Sequence, residues 1–172
     1  MATTYTLISS VTVGSGGAAN IEFTSIPATY TDLCLQLSLR NSRSGQILQE
    51  GLITFNGSAT GYSERIIRGN GASAISTSGS GSNFNLTGFP AASVTANTFG
   101  SASIYIPNYA GSNNKSASAE FITEDNATTA YIYGNAFLWS NSAAITSIKI
   151  DAGSTYTWIQ YSTAYLYGIS NA

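Results

Sequence analysis

The side chains that most often carry out chemistry are scarce in this sequence. It contains no histidine, which excludes Ser-His-Asp and Cys-His catalytic arrangements, most zinc sites and the commonest general base. A glycosidase needs two carboxylates about 5–10 Å apart across a cleft, and no carboxylate pair lies in a sequence setting that suggests one. We therefore expect no enzymatic activity. The eight carboxylates are Glu22, Asp32, Glu50, Glu64, Glu120, Glu124, Asp125 and Asp151.

One cluster of oxygen ligands permits a calcium interpretation. The segment "TEDNATT" (123–129) gathers acidic, amide and hydroxyl groups, but it lacks the alternating acids, central glycine and final glutamate of an EF-hand loop. The simpler prediction is a hairpin turn in which Asp125 and Asn126 cap the backbone. We expect no metal and no cofactor. The single cysteine, Cys34, cannot form an internal disulfide, and we expect no reactive role for it.

Contact residues are the remaining functional candidates. The stretch "IYIPNYAGSNNKS" (104–116) leaves a strand at Pro107 and gathers polar side chains in the following turn. We expect this loop to connect two strands, and its side chains are candidates to touch a neighbouring subunit or a ligand. Arginine is favoured over lysine in interfaces, so the four arginines are candidate anchors. The full candidate set is Arg40, Arg43, Arg65, Arg68, Tyr109, Asn113, Asn114 and Lys115.

Aromatic residues concentrate in the last third of the chain, and two interpretations stay open for them. In "QYSTAYLY" (160–167), Tyr161, Thr163, Tyr165 and Tyr167 share one face of a predicted strand. Such a face more often packs in a core or against another subunit than against a ligand. The alternative is a platform on which sugar rings stack.

Composition narrows the class of partner. Only 8% of the residues are charged and the net charge is −2, against about 25% charged residues in an average soluble domain. Nucleic-acid binding needs clustered cations, and an anionic membrane needs a polybasic run; neither is present. The 43% of hydrophobic residues provides a core, while no apolar run is long enough to span a bilayer and no secretory signal is visible.

Short alternating runs predict the fold. In "DLCLQLSLR" (32–40), the leucines fall on one face and Cys34, Gln36 and Ser38 on the other. Nine or ten such strands follow one another without crossover helices, which predicts an all-β, antiparallel two-sheet β-sandwich, best matched by a jelly roll. An immunoglobulin-like sandwich is the alternative, although its Cys–Trp–Cys spacing is missing. In the first strand, we expect Tyr5, Leu7, Val11 and Val13 on one side.

Residues 1–172 are predicted to form a single domain of this kind, with two irregular segments. Residues 40–51 carry long polar side chains and fit a loop or one helical turn. The Gly- and Ser-rich residues 69–93 are predicted to be an excursion from the sandwich. Because Phe84, Leu86 and Phe89 give it apolar anchors, we expect an ordered arm that packs on a neighbouring subunit.

The order of several segments resembles a group of small virion-associated proteins of tailed bacteriophages. The resemblance covers nearly the whole chain, and its most distinctive pieces are "FTSIPATYTDL" (23–33), "FNGS" (55–58) and "IYIPNY" (104–109). It implies a structural component of the virion surface, either a capsid cement (decoration) protein or a head or tail fibre module, with a β-sandwich fold and trimeric assembly. It brings no catalytic motif to transfer.

The expected role follows from this resemblance and from the composition together. We expect a protein that is made in the host bacterial cytoplasm, is added to the exterior of the capsid and binds the major capsid protein, itself as a homotrimer, or both. The alternative is a receptor- or carbohydrate-binding module of a fibre that binds a host surface glycan. We expect no nucleic-acid and no membrane partner.

Overall fold

The computed structural model describes residues 4–125, 127 and 129–170, and this part of the chain contains strands and no helix. All strand pairs are antiparallel. The strands are β1 (Tyr5–Thr12), β2 (Asn20–Phe23), β3 (Asp32–Leu39), β4 (Leu48–Phe55), β5 (Tyr62–Gly69), β6 (Ala74–Gly81), β7 (Phe84–Pro90), β8 (Gly100–Ile106), β9 (Lys115–Glu124), β10 (Ala130–Trp139), β11 (Ile148–Asp151) and β12 (Thr163–Ile169).

The strands form two sheets whose connectivity contains a jelly roll. The large sheet has the order β1-β12-β3-β8-β9-β10-β5-β6, and the small sheet has the order β2-β11-β4-β7. Strands β1 to β4 alternate between the sheets, as do the pairs β7–β8 and β11–β12, which is the double Greek-key pattern of a jelly roll. The predicted two-sheet β-sandwich is therefore confirmed, with two hairpins added to its basic eight strands.

The two added hairpins widen the large sheet on one side. Strands β5 and β6 lie in sequence between β4 and β7, and β9 and β10 lie between β8 and β11, yet all four join the edge of β8 in the order β9-β10-β5-β6. Within this extension β9 alternates strictly between buried and exposed residues. The extension doubles the width of the large sheet and gives it one broad face turned away from the small sheet, which we call the outer face.

The core lies between the sheets and holds most of the aromatic rings. Leu33, Leu35, Leu37 and Leu39 of β3 are all buried, as predicted. Under the extension, an edge-to-face and stacked cluster joins the two sheets; it consists of Phe55, Tyr62, Phe84, Phe137 and Trp139.

Residues 69–93 depart from the prediction. They contribute two strands, β6 and β7, and β7 is an edge strand of the small sheet. Phe84, Leu86 and Phe89 are buried in the core of their own chain, at 1%, 0% and 1% exposure. The prediction that they anchor an arm on a neighbouring subunit is wrong, because no surface of these side chains is left for a neighbour.

Several strand ends also differ from the prediction. Strand β12 begins only at Thr163, although the predicted strand includes residues 160–167, because Tyr161 has a φ of 71°. Strand β8 begins at Gly100, after Asn97, whose φ is 63°. Left-handed backbone interrupts a ladder. Residues 40–51 form no helical turn; their last four belong to β4.

A bulge in β1 changes which side its residues face. Leu7 is opposite Tyr167 and Ser9 is opposite Leu166, so Ile8 is the extra residue. One inserted residue moves side chains of the same parity to opposite faces. Tyr5 and Leu7 therefore lie on the outer face while Val11 pairs with Ala164 on the inner face, and the prediction that all four odd-numbered residues share a side is wrong.

Candidate functional site

The outer face is unusual because it exposes apolar side chains. The alternation of each strand would normally place polar residues there. Instead, eight of the eleven large hydrophobic residues that are exposed in the described part of the chain lie on it, and only Ile47, Ile75 and Tyr161 lie elsewhere. The eight are Tyr5, Leu7, Ile67, Tyr105, Ile122, Ile132, Leu138 and Tyr165. Such a concentration indicates an interaction surface.

A depression of about 540 Å³, which we call the basin, lies on the outer face over β8, β9, β10 and β5. Its floor is low because β9 and β10 present small residues there, namely Ser118, Gly134 and Ala136. Tyr105 on β8 and Ile67 on β5 stand on opposite sides. Two cross-strand rows build it: Tyr105–Ser118–Ala136–Arg65 and Ser103–Glu120–Gly134–Ile67.

The tyrosine at the rim of the basin is held in place by a carboxylate. The Tyr105 hydroxyl donates to Asp32 Oδ2 over 2.6 Å, and Asp32 Oδ1 accepts from the backbone N–H of Asn108 over 2.8 Å. This hydrogen bond is the main reason that the pKa of Tyr105 rises to about 12. The hydroxyl therefore stays protonated at neutral pH, and 39% of the residue remains exposed.

Two opposite charges face solvent in the basin. Arg65 is exposed, and its Nη1 donates to the backbone oxygen of Glu64 over 2.8 Å. Glu120 is exposed and has no hydrogen-bond or ion-pair partner among the described residues. The basin can therefore offer a partner an apolar wall, an aromatic ring, one anion and one cation.

Arg40 does not belong to this surface. It is only 5% exposed, and its guanidinium donates to the backbone oxygens of the loop before β8: Thr95 at 2.5 Å, Val94 at 3.0 Å and Thr98 at 3.1 Å. Burial lowers its pKa. The structure corrects the interpretation of Arg40 as an interface anchor, because its donors already bind its own chain.

Tyr109 and Lys115 are also inside the molecule. They are 0% and 1% exposed. The Tyr109 hydroxyl donates to the backbone oxygen of Pro27, and the Lys115 ammonium donates to the oxygens of Asn113, Gly111 and Ser142 at 2.5, 2.7 and 3.2 Å. The expectation that these two side chains touch a partner is corrected, since both stabilise the loop from within.

The other candidates are scattered over the surface. Arg43 donates to Gln49 over 2.6 Å and lies 5.3 Å from the ring centre of Tyr156. Arg68 points to the opposite side of β5 from Arg65 and lies 5.7 Å from the ring centre of Tyr131. The side chains of Asn113 and Asn114 are exposed in the predicted loop. Of the eight sequence candidates, only Arg65 lies in the basin.

The aromatic face of the last strand is outward. Tyr165 of β12 is 37% exposed on the outer face, whereas Ala164 and Leu166 are buried. Tyr161, at 65% exposure, precedes the strand and does not share this face, contrary to the prediction. The core interpretation of this tyrosine face is therefore wrong, and a subunit interface or a glycan platform remains. The two tryptophans of the same region, Trp139 and Trp158, are core residues at 1% and 0% exposure.

In its described residues, the turn after β9 matches the prediction of a hairpin turn that caps its own backbone. Asp125 Oδ1 accepts from the backbone N–H groups of Ala127 and Thr129, both at 2.9 Å, as a self-capped turn does. Asn126, the second predicted cap, lies outside the described residues. Within residues 4–125, 127 and 129–170, no three His, Cys, Asp or Glu side chains are grouped so that they could hold a metal ion.

The chain was compared with protein-family models, with curated proteins and with solved structures, and no match was found in any of the three. None of the described residues forms a helix of the length and apolarity that crossing a membrane requires.

Sequence reasoning missed most of the basin. No sequence argument singles out Ile67 and Glu120 of the basin, or Ile122 and Ile132 beside it on the outer face. A signal existed: in β10, "AYIYGNAFLW" is apolar on both faces, with Ile132 and Leu138 on one and Tyr133, Phe137 and Trp139 on the other. A strand with two apolar faces in an antiparallel sheet predicts a second contact layer.

Proposed function

We propose that this chain is a non-enzymatic structural protein that works by burying the outer face against another protein subunit. One observation carries the proposal: exposed large hydrophobic residues concentrate on that one face. Burial of apolar surface is the main driving force of protein association, and a surface with few charges loses little solvation when it is covered.

The size of the face fits a stable contact. Eight strands at about 4.8 Å span roughly 34 Å, and a strand of seven or eight residues is about 25 Å long, which gives on the order of 800 Å². A standard protein–protein interface buries about 800 Å² on each partner. The whole outer face is therefore large enough to act alone.

The resemblance to small virion-associated proteins of tailed bacteriophages suggests where such a contact is used. We place the protein on the exterior of a virion, where a cement protein holds neighbouring capsid subunits together. The low charge, the absence of histidine and the broad apolar face support this role over an enzymatic one. In this role many weak contacts share the binding energy, with a few buried apolar anchors dominating.

Attachment to particles tests the proposal. Ile122 and Ile132 are cross-strand partners on the outer face, at 55% and 59% exposure. We expect the double variant Ile122→Ser/Ile132→Ser to bind virions that lack the protein at least about tenfold more weakly than the wild type. Ile47→Ser is the matched control, because Ile47 is 44% exposed away from the face. Equal attachment of all three proteins contradicts the proposal.

A second candidate function is glycan binding in the basin, and one observation favours it. Sugar rings stack on exposed aromatic faces, and the ring of Tyr105 is exposed beside Glu120 and Arg65. Calorimetric titration with host polysaccharide distinguishes the two functions. Saturable binding that is lost in Tyr105→Ala would establish a receptor-binding module, and the absence of any heat supports the structural role.

A further inference from the structure

We propose that the partner of the outer face is a second copy of this chain, packed face to face about a two-fold axis that crosses β10 between Gly134 and Ala136. This inference rests on the proposed function and names the subunit that the face binds. It predicts a dimer in place of the trimer that the bacteriophage resemblance implies.

The charges of the face are arranged for self-recognition. On the central strands β8, β9, β10 and β5, the charged residues of the outer face are Arg65, Glu120 and Glu124. Glu120 is opposite Gly134, and Arg65 is opposite Ala136, so the two charges occupy opposite corners of the three-strand block of β9, β10 and β5, whose rows are Ser118–Ala136–Arg65 and Glu120–Gly134–Ile67. The centre of that block lies on β10 between Gly134 and Ala136.

A two-fold axis in the plane of the contact exchanges these corners. If the axis passes through the centre of the block, perpendicular to the line from Arg65 to Glu120, the Arg65 of each copy faces the other copy's Glu120. The corners are two strand spacings apart across the sheet and two residues apart along it, so the strands of the two sheets cross at roughly 70°. This is close to the orthogonal class of sheet packing, and it forms two ion pairs.

The shape of the basin suits the same arrangement. Ser118, Gly134 and Ala136 keep the centre low, so two sheets can approach closely there. A Cβ at Gly134 would meet no atom of its own chain within 4 Å, so this space is open to a partner. The same two-fold operation brings Ile67 of each copy, which is 63% exposed, over the partner copy's floor beside its Gly134.

The dimer would give the protein two identical ends. Each copy keeps its small sheet and its loops on the side away from the contact, so a face-to-face pair presents the same surface twice in opposite directions. Two such surfaces allow one dimer to bridge two neighbouring subunits, and linked binding of this kind strengthens attachment without new contacts. This provides a direct route from a self-contact to a cementing role.

Charge reversal and mixing test the two-fold arrangement. Arg65→Glu places a carboxylate opposite the other copy's Glu120, and Glu120→Arg places a guanidinium opposite the other copy's Arg65. By sedimentation equilibrium, we expect wild-type dimers and a dissociation constant raised at least about tenfold in each single variant. An equimolar mixture of the two variants should recover the dimer as a heterodimer, because both of its contacts then pair opposite charges. Circular dichroism and thermal melting verify that every variant is folded.

The control and the contrary results are equally specific. Lys149→Glu changes a charge on the small sheet, where Lys149 lies 3.6 Å from Asp151, and should leave the dimer unchanged. A monomeric or trimeric wild-type chain, or a mixture that does not recover the dimer, overturns the two-fold contact. If that occurs while Ile122→Ser/Ile132→Ser still loses particle attachment, the proposed function stands with a different partner. If the wild type is not a two-fold dimer and the double variant Ile122→Ser/Ile132→Ser attaches to particles as well as the wild type, both the dimer and the proposed function are overturned.

Discussion

The Lys115 ammonium shows how a side chain that looks functional in the sequence can serve the fold. It is buried under its own loop, where it donates to three backbone oxygens of residues 111, 113 and 142. Burial lowers its pKa, and the three acceptors compensate for the lost hydration. In a chain with six basic residues, the sequence alone does not distinguish such a lysine from an exposed one.

Removal of this lysine should destabilise the protein without affecting association. Lys115→Ala leaves three backbone oxygens without their donor in a buried site, which we expect to cost about 2–3 kcal/mol of unfolding free energy. Urea denaturation measures this loss. Lys149→Ala is the control, because its exposed ion pair with Asp151 should contribute less than about 1 kcal/mol. Equal losses for the two variants would refute the structural role of Lys115.

Tyr105 should make the stability of the folded protein depend on pH in the alkaline range. Its pKa in the folded protein is about 12, against 10 for an ordinary tyrosine, so the folded state favours the protonated hydroxyl. The stability that this provides is complete below pH 10 and is lost as the pH rises toward 12. We expect Tyr105→Phe to show a shallower fall in melting temperature between pH 10 and 12 than the wild type. If the melting temperatures of the wild type and of Tyr105→Phe fall in parallel between pH 10 and 12, the hydrogen bond to Asp32 does not raise the pKa of Tyr105.

At the scale of elements, two glycines differ in how closely other atoms of the chain approach them. Gly88 in β7 has a φ of 113°, and a Cβ there would lie 2.4 Å from the Tyr133 ring. Gly134 in β10 has no atom within 4 Å of the same position. The first glycine is required by the contact between the two sheets, and the second keeps the floor of the basin open.

The two glycines should respond oppositely to alanine. We expect Gly88→Ala to lose about 2–4 kcal/mol of unfolding free energy, because both the backbone conformation and the Tyr133 ring oppose a Cβ. Gly134→Ala should change stability by less than about 0.5 kcal/mol. Chemical denaturation of both variants measures the difference, and a large loss in Gly134→Ala would contradict the open floor.

The elements also show what could be predicted from the sequence. The period-two pattern of β3 and β9 is a direct consequence of one buried face, so the sandwich was predictable. Strand β6, "AISTSGSG", is exposed along almost its whole length and is paired to β5 through the backbone, so it leaves no hydrophobic pattern. The bulge at Ile8 also leaves no signal in the sequence, because one extra residue in an edge strand does not change the residue types of that strand.

The site was harder to predict than the fold for a related reason. Tyr105, Glu120, Gly134 and Arg65 are distant from one another in the sequence and meet only because the hairpins β5–β6 and β9–β10 join one sheet edge. Antiparallel pairing of hairpins that are distant in sequence cannot be read from local patterns. Arg65 was predicted as a contact residue on its chemistry alone, and its place in the basin leaves that prediction open to test.

At the scale of the whole molecule, the jelly roll and its extension have different roles. The eight jelly-roll strands enclose most of the core, while the four added strands provide a broad outer surface with few charges. A protein with this surface is expected to be more stable in its assembly than alone, because association covers apolar area that is otherwise in water.

Hydroxyl-radical footprinting of the separated monomer and of the assembly that we propose it forms through its outer face tests the central claim most directly. The chain carries its own controls, because Ile47 and Tyr161 are exposed at 44% and 65% away from the outer face. We predict that assembly protects Ile67, Ile122 and Ile132 from oxidation and leaves the two control residues unchanged. Protection of Ile47 and Tyr161 with unchanged oxidation of the three isoleucines would contradict the claim that the outer face is the contact surface.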